Sequence, residues 1–149
     1  MNNAGIKLSA GGVVLRKTHG VLAILVVKRS HGIEPKWLPV LCQLPKGEVE
    51  ANETLEQAAQ REVLEETGYV TKILGKAGTA CWRYSRDGRP WIETVHYFLM
   101  RPESIPPQTH DAEFDEVCWL TTGEVFNTLS YPEERALVTD IIADASTRL

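Results

Sequence analysis

The stretch Gly47–Tyr69, GEVEANETLEQAAQREVLEETGY, decides how the chain is read. From Thr54 to Glu66 its pattern is helical. Thr54 and Gln57 stand at capping-box spacing, and Gly68 occupies the place of a left-handed C-cap. On a wheel of about 100° per residue, Leu55, Ala58 and Ala59 share one face. Continued toward the C-terminus, that face becomes Glu62 and Glu66, with Val63 and Glu65 at its edges. A stripe that begins apolar turns acidic.

An acidic stripe there is unfavourable on two counts. Like charges three and four residues apart repel, and the helix dipole disfavours anions near its C-terminal end. An ordinary solvated acidic face is the plainer alternative, but these acids extend the very stripe on which the helix packs. A divalent cation held by the carboxylates removes both objections, and an all-oxygen set suits Mg²⁺ or Mn²⁺ better than zinc. Arg61 stands beside the acids and can orient one of them through a bidentate pair. Its alternative is a surface salt bridge of small energetic worth.

Outward from the helix, hydrophobic runs mark strands. Gly12–Leu15 and Val21–Val27 are separated by His19 and Gly20, which predicts a hairpin. Ser30–Pro39 carries Gly32, Pro35 and Pro39 and reads as a loop. Beyond the helix, Ala77–Tyr84 and Trp91–Met100 flank the turn dipeptide Asp87-Gly88, predicting a second hairpin. Arg101–His110 holds three prolines and reads as a loop, and Val117–Leu120 as a short strand. Pro132 opens a final helix to Ala145, with Leu137, Val138, Ile141 and Ile142 at helical spacing. The expected class is α/β, in the α+β sense: a mixed sheet covered by helices, not a doubly wound parallel sheet.

A chain of 149 residues, 43% hydrophobic and 24% charged, suits one domain over residues 1–149 with one core. The net charge of -4 argues against a nucleic-acid polymer as partner, since backbone binding needs a basic surface. A small-molecule nucleotide substrate stays open, because a metal ion supplies positive charge locally. Cys42, Cys81 and Cys118 are widely spaced, with no C-x-x-C pair, and read as reduced thiols. The N-terminus has no signal-peptide pattern, and the apolar run Val21–Val27 is far short of the roughly 20 residues of a membrane span. The expectation is a cytoplasmic protein, monomer or homodimer, with no membrane partner.

With these residues in view, the segment resembles the box of the Nudix family, G-x5-E-x7-R-E-U-x-E-E-x-G-U, where U is bulky and aliphatic. Gly47, Glu53, Arg61, Glu62, Val63, Glu65, Glu66 and Gly68 match it, and Tyr69 departs at the last position. Gly11-Gly12, the Leu44-Pro45-Lys46-Gly47 lead and Glu116–Leu120 look like the same family. The resemblance implies an α/β/α sandwich with a mixed sheet, and hydrolysis of a nucleoside diphosphate linked to another moiety. It implies Glu62, Glu65 and Glu66 as metal ligands for Mg²⁺ or Mn²⁺, often joined by the Gly47 carbonyl. Glu53 and Arg61 resemble the residues that orient those ligands. For the general base it leaves Glu62 in the box, or Glu113 or Glu116 on a distant loop.

Substrate choice lies outside the box. Lys46 precedes the helix and is a candidate phosphate contact, or simply a solvated lysine. Tyr84, Trp82 and Tyr97 lie on the predicted hairpin, where rings can stack on a base or merely pack across strands. Tyr84 stands fifteen residues past Tyr69, just outside the spacing of the tyrosine in members that cut dinucleoside polyphosphates. His96 reads as a plain strand residue, and Arg83, Arg86 and Arg89 as a basic hairpin tip, either attracting a polyphosphate or inositol polyphosphate or merely a solvated turn. The first expectation is a dinucleoside polyphosphate hydrolase. The alternatives are an enzyme that removes oxidised nucleoside triphosphates and a non-catalytic Nudix-fold module that binds nucleotides or a partner protein.

Overall fold

Long β-branched runs are buried on both faces, and this shapes the molecule. In the computed structural model, described for residues 4–33 and 39–148, β1 (Gly5–Thr18) and β2 (Val21–Arg29) form the expected hairpin about His19-Gly20. Val13 and Leu15 enter one core cluster with Ile24 and Val26, while Ala10 and Val14 enter a second with Leu25. Alternation along a strand sends neighbours to opposite faces. Gly11 and Gly12 lie well inside β1. A Cβ on Gly12 would stand 2.8 Å from both Met100 Sδ and Val63 Cγ2, so its bare backbone lets the box helix close on the sheet.

β3 (Leu41–Gln43) and β4 (Lys46–Glu48) follow, then α1 (Leu55–Thr67), β5 (Thr71–Arg86), β6 (Arg89–Pro102), β7 (Glu116–Thr121), α2 (Thr122–Thr128) and α3 (Pro132–Arg148). The sheet runs β3-β2-β1-β6-β5, with β4 on β1 and β7 on β2. It is mixed: β1 and β6 pair in parallel, from Gly5 opposite Trp91 to Val14 opposite Met100, and the other pairs are antiparallel. Helix α1 covers one face through Ala58, Ala59 and Val63. Helices α2 and α3 cover the other through Val125, Val138 and Ile141. This is the expected helix–sheet–helix sandwich.

The differences lie in the ends of long strands and in short elements: β1 and β5 begin at Gly5 and Thr71, ahead of the expected Gly12 and Ala77, and β6 ends at Pro102 rather than Met100. β3 and β4 have three residues each, too few for any periodicity to show. Helix α2 escaped notice although Thr121 and Glu124 form its capping box. Helix α3 runs past the expected Ala145 to Arg148. Residues 34–38 of the expected Ser30–Pro39 loop lie outside the described residues. Among the described residues, no helix is long and apolar enough to cross a membrane.

Helix α1 starts and stops as its caps require. The Thr54 side chain accepts from the Gln57 amide at 3.1 Å, the Gln57 side chain accepts from the Thr54 amide at 2.9 Å, and Gly68 takes φ 81°. The proline-rich segment after β6 then folds over its C-terminal end. Gln108 N–H donates to Gly68 O at 2.7 Å and Asp111 N–H to Glu65 O at 2.8 Å. Carbonyls left without helical partners are thereby satisfied, and the segment brings Glu113 toward the acids of α1. Tyr69, the departure from the box, meets Trp119 edge-on at 5.4 Å and accepts its indole N–H at 3.0 Å.

Candidate active site

The site assembles where the Leu44–Glu48 strap crosses α1. Gly12 N–H donates to Pro45 O at 3.1 Å, and β4 pairs with Ser9–Gly11 of β1. Lys46 N–H donates to Glu66 Oε1 at 3.0 Å. Gly47 lies directly against Glu62: a Cβ there would overlap the Glu62 carboxylate. The strap and α1 therefore enclose an acidic pocket of about 330 Å³ whose lining includes Gly47, Glu48, Glu62, Glu66 and Glu113. Lys7, Arg29 and Lys46 stand at the same pocket.

Electrostatically this pocket is short of positive charge at its base. Glu66 is 2% exposed. Burial first, then the Glu113 and Glu62 carboxylates, push its carboxyl up to about 10. Glu62 is also raised, by burial against the opposing pull of Arg61. Such a buried acid favours neutralisation, and a divalent cation among oxygen ligands supplies it. The pocket's donor set of Glu62, Glu66 and the Gly47 carbonyl, with Glu65 at its rim, has the hard-oxygen chemistry that Mg²⁺ or Mn²⁺ takes, so the residues fit the metal that the box implies.

Arg61 organises the acids beside it. Its Nε and Nη2 clasp Glu53 at 2.6 and 2.9 Å, and Nη2 also reaches Glu48 O at 2.9 Å. Its Nη1 lies 2.7 Å from Glu62 Oε1 and 3.2 Å from Glu65 Oε2. The Arg61 hydrogen bonds hold Glu53 below the usual carboxylate range. With Arg61 between Glu62 and Glu65, no three acidic or imidazole groups among the described residues already surround one point. Glu65, 48% exposed on its side chain, sits on the rim outside the pocket lining.

A second cleft of about 550 Å³ continues from the first. Lys7, Lys46 and Tyr131 line both. Lys46 Nζ lies 3.0 Å from Glu93 and 4.9 Å from the Trp82 ring centre. Glu93 also accepts from Ser9 Oγ at 2.7 Å and faces Lys7 Nζ at 3.6 Å. Burial raises the Glu93 carboxyl, but Lys46, Ser9 and Lys7 outweigh it and leave it lowered. Trp82 stacks on Tyr131 at 5.6 Å and 15°, and Tyr84 on Trp91 at 6.4 Å and 14°. Sequence reasoning missed Glu93 and Tyr131. An isolated acid in a strand and a tyrosine before a helix carry no local signal.

Two sequence expectations need correction. Tyr97 does not face the cleft: it is 1% exposed, and its hydroxyl donates to Glu134 Oε2 at 2.7 Å. It shares the sheet face of Glu93, but lies farther along β6 in the core cluster with Val138 and Ile141 of α3. Its ring has no open side for a base. Glu116 does not reach the acidic pocket: β7 sets it opposite Lys28, and it lines a separate hollow with Lys28, Arg29 and Asp115. Of the two loop acids, Glu113 enters the pocket. His96 lines a third hollow, with Leu55 and Lys76.

Comparisons with known proteins agree with this architecture. C. elegans Ap4A hydrolase, in a binary complex, matches with a TM-score of 0.73 at 22% identity, over 95% of this chain and 98% of that one. The NUDIX domain of Shewanella oneidensis NrtR, solved with ADP ribose, matches at 0.64 and 22% identity, over 98% and 89%. These likenesses concern the fold. Among curated proteins, MutT4 of Mycobacterium tuberculosis is 36% identical over 129 residues, 87% of this chain and 52% of its own length. Arabidopsis thaliana Nudix hydrolase 21, chloroplastic, is 31% identical over 132 residues, 83% of this chain and 60% of its length. The chain thus spans between half and two thirds of these relatives. The NUDIX domain family model matches residues 6–141, and with that match over nearly the whole sequence the chain belongs to the Nudix family.

Proposed function

We propose that this chain is a cytoplasmic, Mg²⁺- or Mn²⁺-dependent hydrolase that cuts a phosphoanhydride bond in a small nucleotide, with dinucleoside polyphosphates as its substrate class. The observation that carries the reading is the junction of two unlike clefts, one acidic and one basic and aromatic, sharing Lys7, Lys46 and Tyr131. A phosphoanhydride needs its oxygens neutralised and a water aligned; a nucleoside needs ring-stacking surfaces and a cationic groove. The junction offers both within one continuous groove.

In this reading Glu62, Glu65, Glu66 and the Gly47 carbonyl would hold the cation. Held there, a divalent ion would supply positive charge against the phosphate oxygens and ease the deprotonation of water. Arg61, fixed by Glu53, holds Glu62 in place for that task. Glu113 is the loop acid suited to take the proton from the attacking water, since it lines the same pocket as Glu62 and Glu66. Lys46 and Lys7 bind phosphate oxygens. Trp82 with Tyr131 offers one ring-stacking surface, and Tyr84 with Trp91 another; two surfaces suit a substrate with two bases. MutT4 is named as a mutator protein, which favours a second reading, a nucleoside triphosphate cut to monophosphate and pyrophosphate.

The test is product analysis over a panel of diadenosine tetraphosphate, ordinary and oxidised nucleoside triphosphates and ADP-ribose, with and without chelator. Cleavage of diadenosine tetraphosphate that stops in EDTA and returns with Mg²⁺ or Mn²⁺ supports the first reading. Preference for oxidised triphosphates supports the second. Undiminished activity in excess chelator overturns the metal-dependent mechanism.

A further inference from the structure

Glu134, in the first turn of α3, is fully buried. Its Oε2 accepts from the Tyr97 hydroxyl at 2.7 Å, and its Oε1 accepts from the Leu44 amide at 3.1 Å. Both donors are neutral. Burial pushes the carboxyl up to about 7, against the pull of those two hydrogen bonds. An apolar side chain would fill this volume without the cost of a buried acid. It could not accept the Leu44 N–H, and a buried amide with no acceptor is unfavourable in its own right.

Leu44 begins the strap that forms the pocket wall. Three successive residues of that strap are pinned by three different elements: Leu44 N–H by Glu134 of α3, Pro45 O by Gly12 N–H of β1, and Lys46 N–H by Glu66 of α1. Gly47 follows at once, its backbone against the Glu62 carboxylate. The start of α3 grips the preceding strand too: Cys42 N–H donates to Ser130 Oγ and Ser130 N–H to Cys42 O, both at 2.9 Å. Glu134 belongs to a different helix from the acidic stripe of α1, and no local pattern in α3 marks it.

We propose that Glu134 is a positioning residue for the metal pocket: through the Leu44 amide it fixes the Leu44–Gly47 strap, and with it the Gly47 carbonyl relative to Glu62 and Glu66. The inference rests on the metal-dependent reading of the site. Groups that orient metal ligands typically change metal affinity by about 10- to 100-fold when removed.

The test is a Mn²⁺ titration of the intact chain, following free Mn²⁺ by electron paramagnetic resonance, with a melting curve for each variant. Y97F removes one donor but leaves the Leu44 contact, and should bind Mn²⁺ as wild type does. E134Q keeps an oxygen for Leu44 and should stay within about threefold. Y97F/E134M replaces the buried pair with apolar groups of similar size, which favours folding, but leaves Leu44 without its acceptor. It should bind Mn²⁺ at least about tenfold more weakly. Its turnover at matched subsaturating metal should fall, with KM for the nucleotide little changed. E134D keeps the carboxyl group, withdraws the acceptor by one methylene and should weaken Mn²⁺ binding several-fold. Wild-type Mn²⁺ affinity in folded Y97F/E134M, or in E134D should the double variant not fold, overturns the inference. If wild type itself binds no Mn²⁺, the metal reading fails first, and that result is visible before any variant is compared.

Discussion

Replacing one acid of the acidic pocket with its amide should make the metal-free protein more stable and remove most of the stabilisation that a bound cation brings. Glu66 is 2% exposed, and burial with the Glu113 and Glu62 charges pushes its carboxyl up to about 10. At pH 7 the metal-free fold therefore carries Glu66 protonated, whereas the unfolded chain ionises it near 4.5. Holding a proton at pH 7 on a group that ordinarily releases it near 4.5 costs about 3.4 kcal/mol. That figure is a ceiling, because it does not grow however far above 7 the folded value lies. The amide introduced by E66Q has no charge to neutralise and keeps the oxygen that accepts from Lys46 N–H. E66Q should thus gain up to about 3 kcal/mol without metal, or roughly 6–12 °C in melting temperature at about 2–4 °C per kcal/mol for this chain size. The sign with pH follows from the raised value. The acid is no burden below pH 4.5, and it destabilises increasingly as pH rises toward 10. The E66Q advantage should vanish near pH 4.5 and widen through about pH 8. Mn²⁺ at 100 times its Kd should then restore about 2.7 kcal/mol to wild type and far less to E66Q. Calorimetry in EDTA and in Mn²⁺ at several pH values reads all of this. An E66Q protein that melts below wild type in EDTA at pH 7 would refute the reasoning and make the carboxylate itself a support of the fold.

Other substitutions separate the remaining roles. G47A places a methyl group against the movable Glu62 carboxylate, so melting should shift by less than about 1 kcal/mol while turnover drops at least about tenfold; a fully active G47A shows that this contact is immaterial. E113Q should lower turnover by about 10²–10⁴-fold if Glu113 takes the proton, whereas E116Q, in its separate hollow, should leave turnover and KM unchanged in the same assay. W82A should raise KM for diadenosine tetraphosphate by roughly 5- to 150-fold, from ~1–3 kcal/mol of lost stacking. Y84A should raise it less for a mononucleotide than for the two-base substrate, and equal effects on both would remove the second stacking surface.

The legible part of this protein was local. The capping box of α1, its Gly68 terminator, the turns at His19-Gly20 and Asp87-Gly88 and the Pro132 start of α3 all depend on residues within a few positions of one another. The Glu53–Arg61 clasp joins residues only eight apart, yet their role came from the resemblance to the family and their pairing from the structure. Cap and turn spacings read directly from a string of letters, and they suffice for a mixed sheet covered by helices and for the acidic face; the helix–sheet–helix sandwich came from the resemblance to the family. The shortest elements, β3, β4 and α2, did not read, because so few residues span too little of any repeating pattern.

Tertiary structure decided everything that depends on which strand lies beside which. The aromatic hairpin residues looked alike in sequence, yet the sheet gives Trp82 and Tyr84 to the cleft and sends Tyr97 beneath α3. Glu113 and Glu116 are three residues apart, but the fold of that segment over α1 delivers one to the acids and the register of β7 carries the other away. Glu93 meets Lys7 and Lys46 because β1 and β6 pair in parallel, an arrangement with no short-range signature. The sequence by itself determined that one helix and its approach carry Glu53, Glu62, Glu65 and Glu66 around a single arginine, Arg61. Which carboxylates are buried, which are claimed by Arg61, and what stands opposite them followed only from the folded chain, because burial and long-range electrostatics are properties of neighbours in space rather than neighbours in order.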